Sequence, residues 1–349
     1  MSSAHPTPRR GVAVVTGGSA GAGRAIVRRL AERGWDVGVV ARGAERIDSA
    51  VADVRATGRL AVAAPADVAD WRAVERAADE VEAALGPIDL WVNCAFTGSI
   101  AFFDDLTPEE FERVTAVTYG GYVNGTRTAL ARMVPRDRGT VIQVGSALAY
   151  RGIPLQSAYC GAKHAIRGFT ESVRVELMHQ GSSVRICDVH LPALNTPQFT
   201  WVLNRGIAGH PQPVPPIYQP EVAARAVAFV AEHPRRTMWV GLSTVLTVLG
   251  NQVAPPLLDR FLARTNVDAQ QRPDLGPPSD ETNLWQPVRG AEVQAHGAFD
   301  DVAHDHSWEL WVSRHRRAVS AGLAAAALGS AVVGRRAGLG RRAGLGRRH

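Results

Sequence analysis

Short apolar runs alternate with helix-period stretches over about the first 240 residues. Most of the runs lack polar alternation, which is typical of strands covered on both faces. We predict seven strands, at residues 12–15, 37–40, 60–64, 88–92, 141–144, 184–189 and 238–240. Between them, apolar residues recur every three or four positions, as in 71–85 and 162–177, which predicts helices with one buried face. This alternation predicts an α/β fold with a doubly wound parallel sheet, whose ligands bind at the carboxyl ends of the strands.

The chain divides into four predicted parts. Residues 1–10 are expected to be a flexible N-terminus, and residues 11–241 to be the α/β domain. Residues 242–313 have helical and loop character, and we expect them to pack on the core as an extension. Residues 314–349 form a basic tail rich in Ala, Gly and Arg.

Composition excludes several protein classes. The 349 residues are 46% hydrophobic and 21% charged, as in ordinary soluble globular proteins. The three cysteines form no CxxC pair, and the first ten residues contain no apolar signal segment. We therefore expect a cytoplasmic protein without disulfides.

The net charge of +6 is concentrated in the tail. From Arg314 onward there are nine arginines and no acidic residue, which leaves 30 basic and 33 acidic groups in the body, a net charge of −3. No nucleic-acid partner is expected from such a body. Residues 318–334 of the tail are uncharged but shorter than the ~20 apolar residues of a membrane span. A disordered tail, an interfacial helix on anionic lipid and a marginal anchor remain alternatives, so the tail carries a possible peripheral membrane contact.

A glycine-rich turn follows the first predicted strand. It reads Thr-Gly-Gly-Ser-Ala-Gly-Ala-Gly from Thr16 to Gly23 and opens a helix. Such a turn lets the backbone approach a pyrophosphate, which also meets the positive end of the helix. We expect it to bind a dinucleotide.

The residue after the second strand bears on the choice of cofactor. An acidic residue there would bind the ribose hydroxyls of NAD, whereas a cation favours the additional phosphate of NADP. Arg42 occupies that place, so NADP(H) is favoured, with NAD(H) as the alternative. Asp67 and Val68, after the third strand, are candidates for adenine contacts, although Asp67 could equally cap the next helix. Asn93, at the end of the fourth strand, could brace a neighbouring strand or contact the adenosine.

Tyr159 and Lys163 form the clearest catalytic candidate. Their spacing of four places them on one helical face, and Ser146 follows the fifth predicted strand. A nearby ammonium favours the ionised phenol, and Ser146 could bind a substrate oxygen while Tyr159 transfers a proton. Lys163 is the only lysine in the sequence; the other 38 basic residues are arginine. Because the two cations are not interchangeable beside a phenol, this supports a functional Lys163.

Together these motifs resemble the short-chain dehydrogenase/reductase family over about residues 10–240. The resemblance implies a Rossmann fold, hydride transfer between NAD(P) and an alcohol or carbonyl, and a homodimer or homotetramer. It implies Ser146, Tyr159 and Lys163 as catalytic residues and Thr196 as a nicotinamide contact. By the same resemblance, the pyrophosphate is bound by Gly17, Ser19, Gly21 and Gly23.

Three positions depart from the family pattern. Phe96 stands where the family usually has glycine, and Ala193 replaces the glycine of a Pro-Gly pair. Thr118 aligns with the usual catalytic asparagine, which puts the family's water-linked proton relay in doubt.

We therefore predict an oxidoreductase that interconverts a secondary alcohol and a ketone, with Tyr159 as general acid/base. The alternative is a weakly active or inactive NADP(H)-binding scaffold or sensor with a membrane-associating tail. Apolar residues between 193 and 216 favour an apolar alcohol or carbonyl substrate. The isolated His304-Asp305-His306 lacks a second cluster at ligand spacing, so we expect no metal site.

Overall fold

The computed structural model describes residues 8–277, 279–288 and 294–315. Within them, seven parallel strands form one central sheet in the order β7-β6-β5-β4-β1-β2-β3. The strands are β1 (Gly11–Thr16), β2 (Trp35–Ala41), β3 (Ala61–Pro65), β4 (Ile88–Asn93), β5 (Thr140–Ser146), β6 (Arg185–Leu191) and β7 (Thr237–Trp239). From the centre of the sheet, β1, β2 and β3 follow one another toward one edge, and β4 to β7 follow one another toward the other edge. The switch point therefore lies between β1 and β4, as in doubly wound sheets. The predicted α/β fold is thus confirmed.

Helices cover both faces of the sheet. The described chain contains α1 (Gly21–Glu32), α2 (Ala44–Ala56), α3 (Trp71–Leu85), α4 (Pro108–Thr115), α5 (Gly121–Met133), α6 (Ser157–His179), α7 (Gln198–Trp201), α8 (Pro220–Glu232), α9 (Leu242–Val253), α10 (Pro255–Thr265) and α11 (Trp308–Arg314). Their starts have local causes: Asp70 caps α3, and Thr107 forms a reciprocal capping box with Glu110 at α4. Pro220 opens α8 because its missing N–H is not needed in the first turn.

The core lies between sheet and helices. Strands β1 and β2 are buried almost throughout, as their continuous apolar sequence predicts. Gly38 allows α3 to approach β2, since a Cβ at this position would lie 2.4 Å from Val81 Cγ2. Because the strands are parallel, their carboxyl ends lie together at one edge of this packed sheet.

The extension contacts this domain. Arg151, just after β5, donates to Asn251 of α9 and pairs with Asp259 of α10. At the other terminus, Arg9 pairs with buried Asp36 at 2.6 Å, and the Arg10 amide donates to Gly34. Arg9 and Arg10 are therefore held by the core, although they belong to the predicted flexible segment.

The chain separates into two compact units after Ser307. The first contains the sheet and the extension up to that residue. In the second, the described residues form the short helix α11, and the tail from residue 316 onward, with its predicted membrane contact, lies outside the described ranges.

Candidate active site

The glycine-rich turn joins β1 to α1 at the carboxyl end of the sheet. Gly17 has φ +70° and donates its amide to Val40 at 2.7 Å. A Cβ on Gly23 would lie 2.1 Å from the Gly17 carbonyl oxygen, so only glycine allows the turn to close. Gly17, Ser19, Gly21 and Gly23 all line one cavity, which fits the predicted approach of a pyrophosphate to the start of α1.

Ser146, Tyr159 and Lys163 line the same cavity, whose volume is about 480 Å³. Ser146 ends β5, where its hydroxyl accepts the Leu148 amide at 3.1 Å, and the other two lie on the first turns of α6. The strand end and the helix start therefore bring together residues thirteen or more positions apart in sequence.

Lys163 is buried against three aromatic rings. Its Nζ donates to Tyr122 Oη at 3.1 Å and to the Val144 carbonyl at 2.9 Å. It lies 5.6 Å from the ring centre of Tyr159 and 5.8 Å from that of Phe96. Burial lowers the pKa of Lys163 to about 8, which brings its titration close to physiological pH.

Tyr159 is held in an apolar setting. Burial raises its pKa well above the ordinary value, although a hydrogen bond with Ser146 acts in the opposite direction. Phe96, the first departure from the family pattern, packs its ring against Tyr159 with the centroids 5.7 Å apart. Contrary to the expectation from the nearby ammonium, burial keeps the phenol protonated at neutral pH, as a general acid in carbonyl reduction must be.

Thr118, the second departure of consequence, lies in a π-helical turn (Ala116–Gly120) between α4 and α5. Its hydroxyl donates to the Thr97 carbonyl at 2.7 Å and accepts the Thr97 amide at 3.1 Å. The side chain is buried and thus ties the helix to the loop after β4. Tyr122, one turn further, contacts Lys163 instead.

Tyr122 was missed by the sequence analysis. It is fully buried, and its hydroxyl donates to the Val144 carbonyl at 2.7 Å while accepting from Lys163. Burial raises its pKa well above the ordinary value, so it remains a neutral phenol. No pattern in the sequence distinguishes it, because an aromatic residue on a buried helix face is most often a core residue.

Arg42 lies at the predicted place after β2, but its donors face the extension. Its guanidinium donates to the carbonyls of Asn283 at 2.6 Å, Leu284 at 3.4 Å and Trp285 at 3.1 Å. Arg46 similarly donates to the Val288 carbonyl. We call residues 283–288 the strap. Burial lowers the pKa of Arg42, but a guanidinium remains charged at neutral pH.

The strap is anchored from several sides. Leu284 is fully buried and packs with Val114 and Ala158, and its carbonyl also accepts from Arg113 at 3.0 Å. The Asn283 amide donates to Trp201, and its side-chain oxygen accepts from Thr97. Because Asn283 and Pro287 line the cavity, the strap forms part of its wall at the adenosine end.

A second stretch of the extension reaches the pyrophosphate end. Gln294 accepts the Gly21 amide at 3.2 Å, and the Gly297 amide donates to Asn195 Oδ1 at 3.0 Å. A Cβ on Gly297 would lie 2.6 Å from the Thr196 carbonyl oxygen. Thr196 lines the cavity beside Gly21, so the extension borders both predicted contacts.

Asp67 and Val68 line the predicted adenosine end of the cavity, whereas Asn93 is absent from its lining. Asp67 accepts the Ala69 amide at 3.0 Å and pairs with Arg113. Burial alone would raise its pKa, but these two hydrogen bonds bring it below the ordinary value. Asn93 is fully buried and donates to Gln143 and Thr126, so its side chain braces β4 against β5 and α5.

The substrate end of the cavity is bordered by apolar side chains from several loops and from the extension. Examples are Phe96, Ile100, Ile153, Leu194, Val202, Val214, Leu258, Phe261 and Leu262. In the described ranges, no group of three or more His, Cys, Asp or Glu side chains is arranged to hold a metal ion. Among those same residues, no helix has the length and apolarity that crossing a membrane requires.

The fold is that of a Rossmann-type α/β protein, because a glycine turn lies at the switch point of its parallel sheet. A Ser–Tyr–Lys group lines the same cavity as this turn. The family model for short chain dehydrogenase matches residues 11–204. The chain belongs to the short-chain dehydrogenase/reductase family.

Relatives and solved structures agree with this assignment. The uncharacterized oxidoreductase YxnA of Bacillus subtilis is 32% identical over 278 residues, covering 78% of this chain and 77% of that protein. A match of that extent exceeds residues 11–241 and so includes part of the extension. A metagenomic short-chain oxidoreductase in complex with NADP is 25% identical (TM-score 0.56), with 67% of this chain and 98% of that one covered. A short chain dehydrogenase from Mycobacterium paratuberculosis bound to NAD is also 25% identical (TM-score 0.58), with 67% and 97% covered.

Proposed function

We propose that the protein is a nicotinamide-dependent oxidoreductase that interconverts a secondary alcohol and a ketone. The convergence of Ser146, Tyr159 and Lys163 on the cavity that also contains the glycine turn carries this proposal. The cofactor, when bound, supplies or accepts the hydride. Similar proteins crystallised with NADP and with NAD support this class of cofactor.

In the reduction direction, Tyr159 Oη donates its proton to the developing alkoxide of the substrate. Ser146 Oγ donates a hydrogen bond to the same oxygen and holds it beside the phenol. The Lys163 ammonium stabilises the tyrosinate that remains, and it is fixed in place by Tyr122 and Val144. In the oxidation direction the proton returns from the alcohol to Tyr159.

NADP(H) is the preferred cofactor in this proposal, and NAD(H) the weaker one. Arg42 and Arg46 line the adenosine end, where the additional phosphate of NADP would lie. Strap carbonyls take three of the five guanidinium donors of Arg42, so at most two remain for a phosphate. A phosphate carries a full negative charge and can accept two parallel hydrogen bonds from a guanidinium, so it competes well with neutral carbonyls for this arginine.

A scaffold or sensor that binds NADP(H) with little turnover is the second candidate. The Thr118 hydroxyl is fully engaged by Thr97, which favours this reading because the usual asparagine is missing. The intact Ser146, Tyr159 and Lys163 favour the enzyme. We expect the substrate to be an apolar alcohol or ketone, in keeping with the side chains at that end of the cavity.

The test combines cofactor binding with turnover. Fluorescence titration should show tight NADPH binding and weaker NADH binding, and a panel of apolar ketones should then reveal turnover. Tyr159→Phe should reduce turnover by about 10²- to 10⁴-fold with nearly unchanged NADPH affinity. Retained turnover in that variant would remove Tyr159 from its role, NADPH binding without turnover across the panel would favour the sensor, and binding of neither cofactor would end the proposal.

A further inference from the structure

Helices α9 and α10 of the extension are separated by one residue and contact each other, and we call the pair the hairpin. Four large apolar residues of α9, at spacings of four, three and four, lie on one stripe of the helix: Leu242, Leu246, Leu249 and Val253. This stripe faces outward, with exposed fractions between 47% and 83%, whereas Thr244 and Val248 are buried. The helix carries no charged residue. An amphipathic helix docked on a core would show the opposite orientation of its large apolar residues.

Helix α10 continues the exposed apolar surface. Leu257 and Phe261, one turn apart, are exposed to 64% and 59%. Exposed apolar side chains grouped on contacting helices are typical of sites of interaction with proteins or membranes. We call the six exposed residues of the two helices the apolar face.

Two arginines lie beside this face. Arg260 and Arg264 are within about 60° of Leu257 around the helix axis, at 100° per residue, so they share its side of α10. Both are exposed, and neither has an ion pair or hydrogen bond to any residue of the described chain. Asp259, the acidic residue directly before Arg260 in sequence, is paired with Arg151. Within the described ranges, the face is therefore bordered by unpaired positive charge.

The same hairpin forms the wall of the substrate cavity. Ser243 and Thr247 of α9, and Leu258 and Leu262 of α10, line the cavity. Phe261 belongs to both surfaces, since it lines the cavity and is also more than half exposed. The apolar face is thus continuous with the mouth of the cavity.

We propose that the apolar face docks on the surface of a lipid bilayer that contains anionic lipids. Apolar side chains would enter the boundary between headgroups and acyl chains, while Arg260 and Arg264 contact lipid phosphates. This mode needs no spanning helix. A second copy of the chain docked through the same face does not explain the two unpaired arginines. The six residues that it would present are all apolar, so they include no carboxylate that could pair with Arg260 or Arg264.

Docking in this position would orient the cavity mouth toward the bilayer, so that an apolar alcohol or ketone reaches Tyr159 from the lipid phase. This route rests on the proposed function, whereas the docking itself does not.

The experiment is co-sedimentation of the full chain with vesicles of equal amounts of phosphatidylcholine and phosphatidylglycerol, compared with phosphatidylcholine alone. The variant Leu246→Glu/Val253→Glu should reduce partitioning by about tenfold or more, because it places charge in the apolar contact. Arg260→Gln/Arg264→Gln should weaken binding to the anionic vesicles and leave the neutral ones unchanged. The matched control Leu60→Glu/Phe103→Glu adds the same charge at equally exposed apolar positions elsewhere.

The basic tail is identical in all these chains, so a difference between variants reports on the hairpin. Equal sedimentation of Leu246→Glu/Val253→Glu and the parent chain would overturn the proposal. So would a dimer, measured without vesicles, that dissociates in this variant but not in the control. Thermal melting checks that each variant is folded, and neither melting nor sedimentation depends on the cofactor or on turnover. Failure of the docking proposal is therefore distinguishable from failure of the proposed function.

Discussion

Lys163 Nζ donates to Tyr122 Oη at 3.1 Å, and both groups also bond the Val144 carbonyl. The phenol of Tyr122 therefore fixes the position of the ammonium beneath Tyr159. Thr118, at the place of the usual asparagine, is engaged with the loop after β4 and does not form this contact. Tyr122 thus acts as a positioning residue through Lys163.

Tyr122→Phe should reduce kcat by about tenfold and leave the NADPH Kd nearly unchanged, since the lost hydroxyl holds only the ammonium. Removing an acceptor of the charged form also lowers the pKa of Lys163, so the alkaline limb of the activity profile should move to lower pH. The control is Tyr119→Phe in the adjoining π turn, whose ring packs on Phe169. An unchanged pH profile with reduced kcat would indicate a purely structural role.

Lys163→Met should stabilise the protein without bound cofactor while abolishing turnover. Burial lowers the folded-state pKa of Lys163 to about 8, below its unfolded value of about 10.4, so the unfolded state binds more protons between these values. The wild-type stability therefore rises with pH through that window, and the full cost of the buried charge is present below it. We expect the variant to be more stable by about 1–3 kcal/mol at pH 7, with the difference shrinking toward pH 10.

Thermal melting at the two pH values measures this difference directly. A wild-type chain that is more stable than Lys163→Met at pH 7, or a difference that does not change with pH, would contradict the expectation.

The parallel sheet and the glycine turn of the site could be predicted from the sequence, whereas the strap and Tyr122 could not. Buried parallel strands need continuous apolar runs, and the turn from Gly17 to Gly23 needs glycine where a Cβ has no room, so both leave a mark in the residue pattern. The strap bonds Arg42 through backbone carbonyls, which every residue has and no pattern reveals. Tyr122 resembles any aromatic residue on a buried helix face until its partner is known.

Arg42→Gln should weaken NADPH binding by about 10- to 100-fold and change NADH binding by less than about threefold, because charge-assisted bonds to a phosphate are lost only with NADPH. The comparison is made by fluorescence titration of both cofactors. Arg46→Gln serves as a second variant, since Arg46 lines the same end of the cavity. Equal weakening of NADPH and NADH would mean that Arg42 acts through the strap rather than on the phosphate.

Leu284→Ala should accelerate NADPH dissociation. Leu284 is fully buried among Val114 and Ala158, and truncating such a side chain costs about 2–5 kcal/mol, which here falls on the docking of the strap. The strap forms part of the wall at the predicted adenosine end, so we expect a dinucleotide to leave faster when the strap is loosened. Stopped-flow displacement of NADPH should therefore show a rate increased by about tenfold or more, with Leu275→Ala, a partly exposed leucine of the same extension, as the matched control. A dissociation rate equal to that of the control would show that the strap stays in place while the cofactor leaves, and would make the carbonyl contacts of Arg42 a fixed part of the site.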